Sequence, residues 1–402
     1  MQINKAHKMQ HVHYDIRGPV SVEATQMEQQ GIEIIKLNTG NPAAFGFKPA
    51  PEISRILEQQ LQLTAAYSDS KGLMTAREAI AQYERSKGIP NVQEDNIFTG
   101  NGVSELISIS LQALLNEGDE ILIPTPDYPL WTATVRLCGG TSVHYRCDEA
   151  ANWFPDVADL KRKITPKTKA IVIISPNNPT GAVYPKEILE AICDLARAHK
   201  LLIFSDEIYD RLLMDDHPHH ALAALAPDLP VVTFNGLSKS HQLCGFRCGW
   251  MTLAGDLSGA EDYMEGLSVL ASMRLCANVP SQAILPAMLA NAHYAKADLL
   301  PGGRLYEQRE QSYQGLVGIP GISVVKSMAG LYMFPRLDAS LGIKDDEKFV
   351  LDLLRAKHVL LTSGSSYNWD KPDHFRMVYL PEKAALQEVM VRLKDFLASY
   401  QQ

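Results

Sequence analysis

Short runs of Val, Ile and Leu alternate with longer amphipathic stretches through the middle of the chain. Alternation of this kind is typical of strand–helix units that build a mostly parallel sheet. Several of the short runs are apolar throughout, as expected when helices cover both faces of the sheet. The predicted strands are Ile97–Thr99, Glu120–Ile123, Ala170–Ser175, Leu201–Ser205 and Val231–Phe234. The pattern therefore predicts an α/β fold with a mostly parallel central sheet.

The pattern changes near Leu300, where Pro301-Gly302-Gly303 interrupts it and shorter strands, such as Gly330–Phe334 and Phe375–Leu380, mix with helices. We interpret this region as a smaller α+β domain. The first residues lack a complete strand–helix unit. The predicted division is therefore an N-terminal segment (1–45) that packs with the small domain, a large domain (46–290) and a small C-terminal domain (291–402).

Composition narrows the possible functions. A net charge of −8 and a pI near 5.9 do not indicate a basic surface that would bind nucleic acid or an anionic membrane. The six cysteines are scattered and Met1–Gln10 has no apolar signal region, so we expect a cytoplasmic protein without disulfides. No apolar run approaches the roughly 20 residues that a membrane-spanning helix needs.

Polar residues follow three of the predicted strands at the point where each strand ends. Asn178 follows the strand that ends at Ser175, Asp206 and Tyr209 follow the next, and Ser238 and Lys239 follow the strand at 231–234. The carboxyl ends of parallel strands meet at one edge of a sheet, where open α/β sheets bind ligands. We therefore expect these side chains to face one site.

A pyridine cofactor with an aldehyde and a phosphate uses this whole set of side chains. Lys239 would hold the aldehyde as a Schiff base, Asp206 would keep the ring nitrogen protonated, and Asn178 and Tyr209 would bind the phenolic oxygen. The phosphate would lie at the start of the helix predicted at Glu105–Leu115, where backbone N–H groups are free. The residues expected to bind it are Val103, Ser104, Ser238 and Arg247.

These motifs resemble those of the class I and II aminotransferases of the fold-type I pyridoxal-phosphate family. The motifs that carry the resemblance are Asn178-Pro179-Thr180-Gly181, Asp206-Glu207-Ile208-Tyr209, Ser238-Lys239, Gly245-Phe246-Arg247, Asn38-Thr39-Gly40-Asn41-Pro42, Pro126-Asp127-Tyr128-Pro129 and Phe375-Arg376-Met377. They extend over nearly the whole chain. The resemblance implies pyridoxal 5′-phosphate as the cofactor and amino acids and 2-oxo acids as substrates.

The resemblance also implies further roles. Arg376 would bind the substrate α-carboxylate through its guanidinium fork, with Gly40 beneath that carboxylate. Tyr128 would stack on the pyridine ring. Tyr67 would reach the phosphate of a neighbouring subunit, which makes a homodimer part of the site.

Within the family, the segment from Tyr14 to Pro19 resembles alanine aminotransferases, so Tyr14 and Arg17 would lie at the substrate mouth. The leading hypothesis is therefore glutamate–pyruvate (alanine) transamination by a ping-pong mechanism. Aspartate, branched-chain or aromatic donors remain open, as does a β-elimination lyase on the same scaffold.

Two other motifs are interpreted as incidental. Gly100-Asn101-Gly102 begins a dinucleotide fingerprint, but Glu105 occupies the position of the third glycine. The run His217-Pro218-His219-His220 is better explained as a polar loop than as a metal site, and no metal is expected.

Overall fold

We describe a computed structural model of the chain, which covers residues 3–12, 14, 18–291 and 294–402. The strands are β1 Ile35–Lys36, β2 Ile97–Asn101, β3 Glu120–Thr125, β4 Thr141–Asp148, β5 Phe154–Pro155, β6 Thr168–Ile174, β7 Leu202–Asp206, β8 Val231–Gly236, β9 Cys248–Ala254, β10 Ile322–Ser323, β11 Tyr332–Met333, β12 Arg336–Leu337, β13 Val359–Leu360, β14 Thr362–Ser363 and β15 Phe375–Val378.

The helices begin with α1 Pro19–Gln29, α2 Glu52–Thr64, α3 Met74–Ser86, α4 Val103–Leu114, α5 Leu130–Leu137, α6 Val157–Lys163, α7 Lys186–His199 and α8 Leu222–Leu225. They continue with α9 Leu237–Ser240, α10 Glu261–Met273, α11 Val279–Ala283, α12 Leu285–Ala290, α13 Arg304–Val317, α14 Asp346–Lys357 and α15 Lys383–Leu397. Short 3-10 helices lie between them. None of the helices in the described ranges is long and apolar enough to span a bilayer.

An eight-stranded sheet organises the middle of the chain, in the order β2-β9-β8-β7-β6-β3-β4-β5. The five strands from β8 to β4 are parallel, whereas β9 runs antiparallel to both of its neighbours and β5 runs antiparallel to β4. The prediction of an α/β fold with a mostly parallel sheet is confirmed. The five predicted strands are all present, with ends that differ by one to two residues.

Both faces of this sheet are buried. Along β6, Ile171 and Ile173 join one apolar cluster, while Ala170, Val172 and Ile174 join another on the opposite face. Successive side chains of a strand point to opposite faces, so a strand buried on both sides has to be apolar at every position. This explains the uninterrupted apolar runs that predicted the strands.

A third apolar cluster lies outside the large sheet and includes Leu37, Phe349 and Val378. Strand β1 pairs in parallel with β13, and the Val378 N–H donates to the Leu37 carbonyl at 2.9 Å. Residues from the beginning and the end of the chain thus share one core. The exact domain boundaries remain a prediction.

Candidate active site

A cavity of about 500 Å³ lies at the carboxyl ends of the parallel strands. Strands β6, β7 and β8 are neighbours in register, with Ile174 beside Asp206 and Asp206 beside Phe234, so the residues that follow them meet there. The predicted residues that line this cavity are Tyr14, Gly40, Val103, Ser104, Tyr128, Asn178, Asp206, Tyr209, Ser238, Lys239, Arg247 and Arg376. Of the predicted site residues that the structure describes, it therefore brings together all except Tyr67.

Lys239 reaches the cavity from the short helix α9, which directly follows β8. Its Nζ donates to the Gly40 carbonyl at 2.7 Å and lies 4.0 Å from the Cys244 sulfur. The amine is therefore held by the backbone of the N-terminal segment. Cys244 also lines the cavity, and the sequence patterns did not mark it as a site residue.

Asp206 is the last residue of β7 and is 3% exposed. Its carboxylate accepts hydrogen bonds from the Trp131 indole at 3.2 Å and from the Ile208 backbone at 3.4 Å. Burial raises the pKa of Asp206 to about 6, and these hydrogen bonds offset only part of the effect. Within the described ranges, no cationic side chain forms an ion pair with Asp206. A cationic group in the cavity would supply the missing counter-charge.

The start of α4 forms an anion cradle. The first N–H groups of a helix have no partner within the helix, and here they belong to Val103 and Ser104, which line the cavity. Gly102 adopts φ +82°, and a β-carbon at this position would overlap the guanidinium of Arg247. The backbone and the cation therefore approach each other closely, as a phosphate site requires.

Arg376 lies on β15 and is 3% exposed. Its Nη1 donates to the Asn178 side-chain oxygen at 3.1 Å, and Nη2 donates to the Asn38 carbonyl. The rings of Tyr332 and Tyr367 lie 4.3 and 4.6 Å from the guanidinium carbon. Its Nε has no partner among the described groups. The guanidinium is thus fixed in orientation at the cavity wall.

Two tyrosine pairs complete the cavity. The Tyr209 hydroxyl donates to the Tyr332 hydroxyl at 3.0 Å, and both residues are buried. The hydroxyls of Tyr14 and Tyr128 also lie 3.0 Å apart. Tyr332 was missed in the sequence because a tyrosine in a short apolar strand resembles a core residue. Its place at the site follows from the pairing of Tyr332 and Met333 with the strand that carries Arg376, which the sequence does not show.

One predicted residue lies elsewhere, and one is not described. Tyr67 is 79% exposed and does not contribute to the cavity of its own chain. Arg17 is outside the described residues, so its predicted place at the substrate mouth stays a prediction.

The polar loop at 217–220 lies beside a buried charge cluster. His219, Glu207 and Asp210 have ligand atoms within 4.8 Å of one another, the one grouping of metal-ligand type found in the described part of the chain. The Lys87 Nζ lies 3.0 Å from the Glu207 carboxylate and 3.6 Å from that of Asp210. An amine of the protein thus supplies positive charge to this cluster.

A buried carboxylate without a counter-charge, an amine, an anion cradle and a fixed guanidinium are the features of a site that binds a charged cofactor and a carboxylate substrate. Residues 32–393 match the family described as aminotransferase class I and II. The chain belongs to this family.

Individual relatives are similar over their full length. The glutamate-pyruvate aminotransferase AlaA of Haemophilus influenzae is 54% identical over 399 residues, which are 99% of each chain. A crystal structure of an aminotransferase from Escherichia coli superposes with a TM-score of 0.98 at 51% identity and full coverage of both chains. The alanine aminotransferase from Pyrococcus furiosus superposes with a TM-score of 0.94 at 36% identity, and the match covers 99% of this chain and 100% of that chain.

Proposed function

We propose that this protein is a pyridoxal-phosphate-dependent aminotransferase that exchanges the amino group between alanine and 2-oxoglutarate, with pyruvate and glutamate as products. One observation carries the proposal: the Lys239 amine, the uncompensated carboxylate of Asp206 and the fixed guanidinium of Arg376 face a single cavity. The names of the relatives at 51–54% identity support the choice of substrates.

The residues present fit pyridoxal 5′-phosphate. Its protonated ring nitrogen would supply the counter-charge that Asp206 lacks, and its phosphate would lie on the N–H groups of Val103 and Ser104 beside Arg247. When bound, this group withdraws electrons from the substrate α-carbon. The remaining contacts that we propose are Asn178 and Tyr209 at the phenolic oxygen, Ser238 at the phosphate and Tyr128 at the ring face.

The chain's own residues then bind the substrate and move a proton. Arg376 binds the α-carboxylate, for which its guanidinium is already oriented by Asn178 and Asn38. Lys239 Nζ would accept the proton from the substrate α-carbon and hold it for return to the bound substrate–cofactor pair. The Gly40 carbonyl that now accepts from Lys239 is close enough to guide this movement. Two half-reactions of this type give the ping-pong cycle.

Substrate choice depends on the cavity mouth. Tyr14 is 40% exposed there and its hydroxyl contacts that of Tyr128, so a long donor side chain has to pass this pair. We propose that Tyr14 and Arg17 bind the distal carboxylate of glutamate. Arg17→Ala should then raise the KM for glutamate and leave that for alanine unchanged. Glutamate and alanine half-reactions that are both unchanged from the wild type would exclude the role.

We also propose that two copies of the chain form a homodimer. Large apolar side chains are exposed on two neighbouring segments, with Tyr67 and Met74 on one, and Val269 and Met273 on the other. The Arg274 guanidinium donates to the Ser70 carbonyl and joins the segments into one surface. Exposed apolar patches of this kind mark interfaces. From this surface, Tyr67 would reach the anion cradle at the start of α4 in the partner.

The six cysteines are free thiols, which supports the proposal of a reducing, cytoplasmic location.

Steady-state rates with a panel of amino donors test the function. With 2-oxoglutarate as acceptor, alanine should be the best donor, ahead of aspartate, branched-chain and aromatic amino acids, and Lys239→Ala should abolish the turnover. With pyruvate as acceptor, glutamate should be turned over readily. Negligible turnover of glutamate would refute the proposal. Release of pyruvate from cysteine without any amino acceptor would instead indicate the β-lyase.

A further inference from the structure

Tyr332 occupies the centre of the cavity wall, between groups that the proposed function uses. It lies on β11, which pairs antiparallel with the strand that carries Arg376, and it is 2% exposed. The Arg376 guanidinium packs on one face of its ring at 4.3 Å, and its hydroxyl is 3.0 Å from that of Tyr209. On the side of the N-terminal segment, Gly40 is so close that a β-carbon there would overlap the phenol. The hydroxyl is therefore held in one position.

The hydrogen bond between the two phenols can persist in the loaded site only if its direction reverses. In the structure Tyr209 donates to Tyr332. A phenol carries a single proton, so Tyr209 cannot donate to Tyr332 and to an acceptor in the cavity at the same time. If Tyr209 donates to the phenolic oxygen of the cofactor, the bond between the phenols requires Tyr332 as its donor. The second bond polarises Tyr209 and strengthens the first.

The electrostatic surroundings favour this reversed direction. Burial opposes ionisation of both phenols and raises the pKa of Tyr209 well above its ordinary value. For Tyr332, burial also raises the pKa, but the positive charges of Lys239 and Arg376 and the hydrogen bond from Tyr209 outweigh it, and the pKa lies below the ordinary value. The Arg376 guanidinium packs on the Tyr332 ring and stays there when Lys239 holds the cofactor, so its charge favours Tyr332 as the donor.

We propose that Tyr332 is a positioning residue that donates its proton to Tyr209, so that the two hydroxyls form a relay ending at the phenolic oxygen of the bound cofactor. This inference rests on the proposed function, because it assumes that the cofactor lies in this cavity. Its consequence is a stronger donor at the phenolic oxygen, which stabilises the ionised form of that oxygen.

Tyr332→Phe removes the hydroxyl and keeps the ring against Arg376 and Gly40. Tyr367→Phe is the matched control, because the Tyr367 ring also packs on Arg376, at 4.6 Å, whereas its hydroxyl forms no hydrogen bond with Tyr209. The experiment is a pH titration of the visible absorbance of the holoenzyme, together with the dissociation constant of pyridoxal phosphate. Both are measured for the wild type, for Phe variants at 209, 332 and 367, and for the double variant at 209 and 332.

Without Tyr332 as its donor, Tyr209 should be a weaker donor at the phenolic oxygen, which should move the absorbance midpoint of Tyr332→Phe to higher pH, on the order of half a unit. The dissociation constant should rise a few-fold, and Tyr367→Phe should leave the midpoint unchanged. The relay also requires that Tyr332→Phe causes no further change in the Tyr209→Phe background, because coupled groups are not additive.

An unchanged midpoint together with an unchanged dissociation constant in Tyr332→Phe would overturn the relay, and so would effects that add to those of Tyr209→Phe. Failure of the proposed function gives a different result. A wild type that binds pyridoxal phosphate with visible absorbance but does not turn over alanine and glutamate would refute the substrates, while the comparison of variants would still decide the relay. A wild type that does not bind the cofactor would overturn both.

Discussion

The buried carboxyl of Asp206 should make the cofactor-free protein less stable above pH 6 than at acidic pH. Its carboxyl is buried without a cation from the described residues, and its pKa rises from the ordinary 3.8 to about 6, which corresponds to about 3 kcal/mol. Because the pKa is higher in the folded than in the unfolded protein, the folded state retains a proton that the unfolded state has lost. The contribution to stability is therefore fully present below pH 3.8 and is lost as the pH rises through 6.

The substitution Asp206→Asn removes this pH dependence. The amide offers one oxygen where the carboxylate offers two, so one of the hydrogen bonds from Trp131 and Ile208 is lost, at a cost of about 1 kcal/mol. At pH 8 the cofactor-free variant should then be more stable than the wild type by about 2 kcal/mol. The same variant should bind pyridoxal phosphate roughly a hundredfold more weakly, because the ring nitrogen loses its ionic partner.

Urea unfolding of the cofactor-free proteins at pH 5 and pH 8, followed by circular dichroism, measures the difference in stability. Cofactor titration measures the difference in affinity for pyridoxal phosphate. The advantage of the variant should grow by about 1.5 kcal/mol from pH 5 to pH 8. Asp370→Asn is the control, since this carboxyl is exposed and does not line the cavity. If Asp206→Asn were less stable than the wild type at pH 8, the carboxylate would not be an uncompensated buried charge.

Three further variants test other parts of the site. Burial raises the pKa of Asp127 to about 7, so the wild type should lose up to about 4 kcal/mol between pH 4 and pH 7 through this group, and Asp127→Asn should abolish that slope in urea unfolding. Arg376→Lys replaces a fork by a single ammonium, and kcat/KM for alanine should fall about a hundredfold in steady-state assays while cofactor affinity is retained. Gly102→Ala places a methyl group against Arg247 at a positive φ, so cofactor titration should show a dissociation constant raised at least about tenfold.

Most of the parallel part of the large sheet could be predicted because its signals are local. A strand buried on both faces is apolar throughout, and the functional residues lie at the ends of such strands or a few positions beyond, as Asp206 ends β7 and Lys239 follows β8. Three strands of the same sheet were not predicted. Strand β4 is partly exposed at several positions, and β5 is only two residues long. Strand β9 follows a 3-10 turn at Cys244–Phe246 without a helix between them, so it lacks the strand–helix alternation on which the prediction relied.

The contacts that join Lys239 to Arg376 could not be predicted in the same way, because they depend on pairing between distant two-residue strands. The pairing of β1 with β13 places the segment from Asn38 to Gly40 beside the cavity. There the Asn38 carbonyl accepts from Arg376 and the Gly40 carbonyl accepts from Lys239. Side-chain patterns carry no information about contacts made by backbone carbonyls, so only the family resemblance indicated Gly40. The same segment contacts the proposed proton carrier and the proposed carboxylate site, so a shift of β1 against β13 would displace both.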